Sequence, residues 1–229
     1  MQSNDELVLS YLYTKSYHCP VCENDFMDFA VRTSKLKTER IDTDFLTIYK
    51  DIDPNHYEII FCLHCGYAQP TAYFDKITMR QQEMIRKKIT SEYKLMEFSS
   101  PLSLEHVLFR YVQAIRCADA IEAKTSQKAL ISLRLSWVLR RLGHKDAEMR
   151  YLKEAYEGLK TAYSTENFPL GKMDEPTAQY VIADLARRMG DFGEAMKWVG
   201  PLIVAKGLSN ALKERAVNLK DAVREGKRD

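Results

Sequence analysis

Apolar and polar positions follow two different periods along this chain, and the change falls near residue 75. In "DFAVRTSKLKTERI" (28–41) apolar residues alternate with polar ones at Phe29 and Val31 and again near Leu36. "HYEIIFC" (56–62) is aromatic and β-branched. Both patterns predict strands of a small antiparallel sheet. Beyond residue 75 the period becomes helical. "LSLEHVLFRYVQAIRCADA" places Leu104, Val107, Leu108, Tyr111, Val112, Ile115 and Ala118 on one face, with Ser103 as N-cap. "QKALISLRLSWVLRRLG" is apolar over a wider arc, with Leu130, Leu133, Trp137, Val138 and Leu142, as for a helix packed on two sides. Gly143 stands where left-handed backbone ends it cheaply. "NALKERAVNLKDAVREGKRD" sets Ala211, Leu212, Ala216, Leu219 and Val223 at helical spacing and reads as a closing helix. The fold class is α+β: a small β module over residues 1–74, then an all-α region over 75–229.

Composition adds bounds. Hydrophobic residues at 45% and charged residues at 29% of 229 positions suit a globular protein with a real core. Apolar runs such as "PLIVA" (201–205) fall far short of the roughly 20 residues of a spanning helix. The N-terminus has no basic segment followed by an apolar one, so it does not read as a signal peptide, and a cytoplasmic location is expected.

Four of the five cysteines form two equally spaced pairs, "CPVC" (Cys19, Cys22) and "CLHC" (Cys62, Cys65). In a reducing compartment such pairs point to metal ligation or redox chemistry rather than structural disulfides. Neither pair opens a helix in a βαβ setting, as a thioredoxin-type motif does. Pro20 lies inside the first and Gly66 follows the second, so each sits in a turn. Two turns bringing two sulfurs each close a tetrahedral shell, which makes the module a zinc ribbon with one structural Zn²⁺. Iron also accepts four thiolates and is the second choice. A closed shell leaves no place for a reacting water. Glu23 stands where a glycine is expected after the first pair, and Asn24 is the alternative carrier of left-handed backbone there. His18 and His64 adjoin the ligands as half-exposed turn residues. Cys117 lies on a predicted helix, away from the main apolar stripe, and reads as a semi-buried filler.

Between the predicted strands, Asp42, Asp44, Asp51 and Asp53 do not have the spacing of a calcium loop. With Pro54 and Asn55 they read as a solvated connection. In the helical part, "WVLRRLGHKDAEMRYL" (137–152) aligns with "DLARRMGDFGEAMKWV" (184–199). The second copy, through Gly190, Asp191, Phe192, Glu194 and Ala195, resembles the tetratricopeptide repeat, in which Gly allows the turn and Ala the close helix approach. The first copy lacks the aromatic, and the copies lie 47 residues apart (143 to 190), against about 34 in a regular array. The region is therefore read as tetratricopeptide-like helical hairpins.

The layout around the cysteine pairs resembles an uncharacterised bacterial domain-of-unknown-function family with paired CxxC motifs and a helical C-terminal half. The matching residues are Cys19, Pro20, Cys22, Asp44, Phe45, Tyr49, Pro54, Tyr57, Cys62, Cys65, Gly66, Tyr67 and Ala68; Glu23 departs from the usual Gly. The resemblance implies an architecture and no activity. The sequence has no nucleophile elbow, phosphate-cradling glycine loop or His–acid constellation, so a non-enzymatic protein is expected. Two partner classes follow. Helical repeats capture a protein or peptide, with Trp137, Tyr151, Tyr156, Tyr180 and Trp198 as candidate anchors. Alternatively, the ribbon binds nucleic acid through Arg32, Lys35, Lys37 and Arg40. The formal charge is +2, and four thiolates around one dication bring the chain to neutrality, which disfavours sequence-independent nucleic-acid binding.

Overall fold

The computed structural model describes residues 4–227. Contacts divide the chain into two compact units. One holds the residues up to Arg40 together with Thr47–Ala123; the other holds Ile41–Leu46 together with the residues from Lys124 on. The expected change at 74/75 marks where strands give way to helices, whereas the compact units part after residue 123.

In the first unit, helix α1 (Asn4–Ser10) leads into β1 (Leu12–His18), which pairs antiparallel with β2 (Asp25–Val31), from Leu12 opposite Val31 to His18 opposite Asp25. β3 (Thr38–Ile41) pairs with β4 (Thr47–Tyr49), and β5 (Ile59–Phe61) pairs antiparallel with β6 (Ala68–Pro70). The expected single sheet is thus three separate two-stranded ones. Residues 28–41, read as one strand, break into β2, a 3-10 turn at Thr33–Lys35 and β3. Two-stranded ribbons are marginal alone and need packing from elsewhere. Here α3 (Leu104–Ala120) packs on β5 and β6, and α2 (Met79–Lys88) packs on α3.

Ser103 caps α3 as expected, accepting from His106 N. The buried face is rotated from the expected one: Val107, Tyr111, Ala114, Cys117 and Ala118 are buried, while Leu104 and Val112 are 46% and 41% exposed. Cys117 is therefore fully buried on the stripe itself. Arg110 also lies inward, because its guanidinium clasps Asp28 of β2 through two bonds of 2.9 Å and donates to the Ile59 carbonyl at 3.2 Å. A buried charge survives only with such partners. Phe61 packs among the rings of Tyr93, Phe98 and Phe109.

The second unit carries α4 (Thr125–Arg141), α5 (Lys145–Thr165), α6 (Glu175–Met189), α7 (Phe192–Val204) and α8 (Asn210–Arg224). α4 and α5 form one hairpin, α6 and α7 another, and α8 closes the core, as the periodicity predicts. Gly143 and Gly190 end α4 and α6 with φ of 76° and 83°. Asp191 caps α7 by accepting from Glu194 N, and Ala195 is fully buried. His144, at the equivalent place before α5, provides no side-chain cap. Gly158 lets α5 approach α4, since a Cβ there would lie 2.7 Å from the Ala129 methyl.

Segment 41–46 belongs to this unit. The expected solvated loop is overturned at Asp44, which is fully buried. Its Oδ2 accepts from Arg140 at 2.7 Å and from the Trp137 indole at 2.9 Å, and lies 3.5 Å from the Arg188 guanidinium. The acid is retained inside because cations and an N–H donor replace the water it loses.

Candidate metal centre

Each cysteine pair occupies a turn with the same bonding. Glu23 N donates to Cys19 O at 2.9 Å, and Gly66 N donates to Cys62 O at 2.9 Å. Cys19 N donates to Asn24 O at 3.0 Å, and Cys62 N donates to Tyr67 O at 2.8 Å. Both turns require left-handed backbone at the residue after the second cysteine, with φ of 61° at Glu23 and 75° at Gly66. Glu23 itself therefore carries the turn, and the alternative carrier, Asn24, does not. Gly66 is needed for a second reason, because a Cβ there would meet the Tyr93 ring at 2.6 Å.

These turns bring Cys19, Cys22, Cys62 and Cys65 together, with all four sulfurs within 4.8 Å of one another. Sγ of Cys19 lies 3.6 Å from Sγ of Cys65, and Sγ of Cys22 lies 3.6 Å from Sγ of Cys62. A disulfide needs about 2.05 Å. Sulfurs held about 2.3 Å from a central ion at tetrahedral corners lie about 3.8 Å apart. The spacing fits a four-thiolate metal site. Three of the cysteines are fully buried and Cys22 is half-buried.

The electrostatics point the same way. Hydrogen bonds from Cys62 and Cys65 pull the Cys19 thiol down to about 2. Those bonds to Cys19 push Cys62 up to about 12 and Cys65 higher still. One thiolate is cheap in this nest and each further one is repelled by it. A bound cation reverses that repulsion.

The turns are held from behind. Arg86 of α2 donates its Nε to Val21 O at 2.8 Å, Thr90 donates to Cys65 O at 3.1 Å, and Gln113 of α3 donates to Gly66 O at 2.9 Å. Ala68 N donates to the Cys117 sulfur at 3.4 Å. Sequence reasoning missed these supports, because each comes from a helix distant in the chain and none carries a local motif. His18 is exposed and bonded to Asp25 at 2.8 Å, His64 is exposed, and neither belongs to the sulfur cluster.

The other candidates separate. Asp42 and Asp44 lie in the helical unit, while Asp51 accepts from the Tyr11 hydroxyl at 3.0 Å and Asp53 caps a 3-10 turn through Asn55 N. Tyr156 and Tyr180 are core residues, and Trp198 packs edge-on against Tyr163. Of the basic stretch, Arg32 donates to Leu12 O and Lys35 to Ser10 O.

With this geometry in hand, the family profile described as an uncharacterized protein conserved in bacteria (DUF2225) matches residues 12–228. The chain belongs to this family. The match spans the sulfur cluster and both helical hairpins alike. No curated protein and no solved structure matches the chain. Among the described residues, no helix is long and apolar enough to cross a membrane.

Proposed function

We propose that this is a non-enzymatic zinc-binding adaptor, in which one structural Zn²⁺ held by Cys19, Cys22, Cys62 and Cys65 stabilises the first unit and the helical hairpins engage a protein partner. The carrying observation is the four-sulfur cluster, backed by Arg86, Thr90 and Gln113. Four thiolates complete a tetrahedral shell, so the metal's part is to tie two distant turns together. Zinc is chosen over iron because closed Cys₄ sites of structural type are its commonest setting. The adaptor role rests on paired helical hairpins built around one continuous core. The nucleic-acid alternative draws less support, since Arg32 and Lys35 spend donors on backbone carbonyls.

Elemental analysis of protein purified under reducing conditions tests the metal, with one zinc per chain expected. Stoichiometric iron would replace zinc in this reading, and absence of any metal would end it. For the adaptor role, affinity capture from native lysate should retain a defined protein with the wild-type chain. Recovery of nucleic acid alone would favour the alternative.

A further inference from the structure

The helical unit holds a piece of its own chain in a way that describes a ligand. Asp42–Leu46 forms a tight turn, with Phe45 N donating to Asp42 O at 3.2 Å and Asp42 N to Leu46 O at 2.8 Å. Thr43 donates its hydroxyl to Asp184 at 2.8 Å and accepts from Arg188 at 2.7 Å and Arg187 at 3.1 Å. Asp44 enters the site made by Arg140, Trp137 and Arg188. Phe45 lies against the Tyr180 ring at 5.3 Å and beneath the Arg215 guanidinium at 4.8 Å. To do so it adopts φ of 68°, a left-handed conformation that bulky residues rarely take. An apolar turn with Gly at that position would plug a helical core with less desolvation and less strain. This segment instead presents a carboxylate followed directly by an aromatic ring.

Charge and space extend the point. Arg140 meets Asp42, Asp44 and Glu148, Arg187 and Arg188 meet Asp184, and Arg215 donates to the Asp42 carbonyl, so the segment brings carboxylates to a cluster of guanidiniums. Open space of about 500 Å³ adjoins Thr43 and Arg187, and a further 430 Å³ adjoins Phe45 and Leu208. Ala211 and Arg215 of α8 line both, so the two spaces flank one stretch of that helix and form a groove beside Thr43 and Phe45.

We propose that this groove is the partner site of the helical unit, that it recognises a short turn-forming protein segment carrying an acidic residue immediately before an aromatic one, and that Asp42–Leu46 occupies it in cis as a built-in competitor. The inference rests on the protein-binding reading above and is independent of the metal.

The probe is a fluorescein-labelled peptide of residues 38–50, read by anisotropy against the full-length, metal-loaded chain. Wild type should bind it weakly. Asp44→Ala/Phe45→Ala should bind at least tenfold more tightly, and adding Arg188→Ala should abolish the gain. Thr43→Ala/Phe45→Ala keeps Asp44 and removes the hydroxyl and ring contacts, so it serves where the first double variant fails to fold; it too should bind at least tenfold more tightly than wild type. Equal binding by wild type and a folded tip variant overturns the proposal, as does binding that survives replacement of the peptide's Asp-Phe pair by Asn-Ala. Partner capture by wild type with no peptide binding by the tip variants would sink this groove alone. Peptide binding without any captured partner would sink the adaptor reading instead.

Discussion

Glu23 and Gly66 occupy equivalent positions in the two cysteine turns, and they should respond oppositely to exchange. Left-handed backbone costs a non-glycine residue about 1–2 kcal/mol, partly offset by the greater freedom of Gly in the unfolded chain. Glu23→Gly is therefore expected to raise stability by about 0.5–1 kcal/mol. Gly66→Ala is expected to lower it by about 2 kcal/mol or more, since strain and the Tyr93 clash add. Chemical denaturation of the metal-loaded proteins checks both signs. Asp44 gives a second prediction at this scale. Burial opposes its ionisation, but Arg188 and Arg140 outweigh it and hold the carboxyl below the ordinary carboxylate range. Its contribution is thus complete above the unfolded value of about 4 and is lost as pH falls through the lower folded value. Asp44→Asn should cost about 1–3 kcal/mol at neutral pH, because Arg140 and Arg188 each lose one of their carboxylate partners while Glu148 and Asp184 remain. The difference between variant and wild type, followed by urea denaturation, should narrow only below about pH 4. The clustering of the four cysteines was legible from spacing alone. The fate of Asp44 was not, because an acid beside Thr, Pro and Asn looks the same in a solvated loop and in a buried clasp.

At the scale of elements, helix α3 shows how far periodicity reaches. Its extent and its Ser103 cap follow from local rules, as do the Gly143 and Gly190 stops. Its facing does not. Arg110 and Gln113 are polar and not among the residues of the expected apolar face, yet both are buried, one on Asp28 and the other on the Gly66 carbonyl. Hydropathy assigns a side chain by its own chemistry, whereas burial depends on whether a partner from another element meets its charge. Gln113→Leu removes the donor and leaves the Gly66 carbonyl without that bond. It should cost about 1–3 kcal/mol and loosen the second turn before the first. A faster loss of bound metal to a competing chromogenic chelator, relative to wild type, is the measurement that checks it.

Over the whole molecule, the chain divides into two compact units, one carrying the clustered cysteine turns and the other built on helix packing. Metal removal should therefore act unevenly. With excess chelator and reductant, amide protons of β5, β6 and the two cysteine turns should lose exchange protection, while those of α4 to α8 keep it. Uniform loss across both units would show that the metal sustains the entire chain. By itself the sequence determined the α+β class, the pairing of the four cysteines that cluster, and the turns and caps of the helical hairpins. These rest on spacing and on residue-specific backbone preferences, which act over a few positions. Tertiary structure alone decided the partition after residue 123, the Asp28–Arg110 clasp and the burial of Asp44 beside arginines about a hundred or more positions away. Those depend on which charges meet once water is excluded, and that pairing is written in no local stretch of the chain.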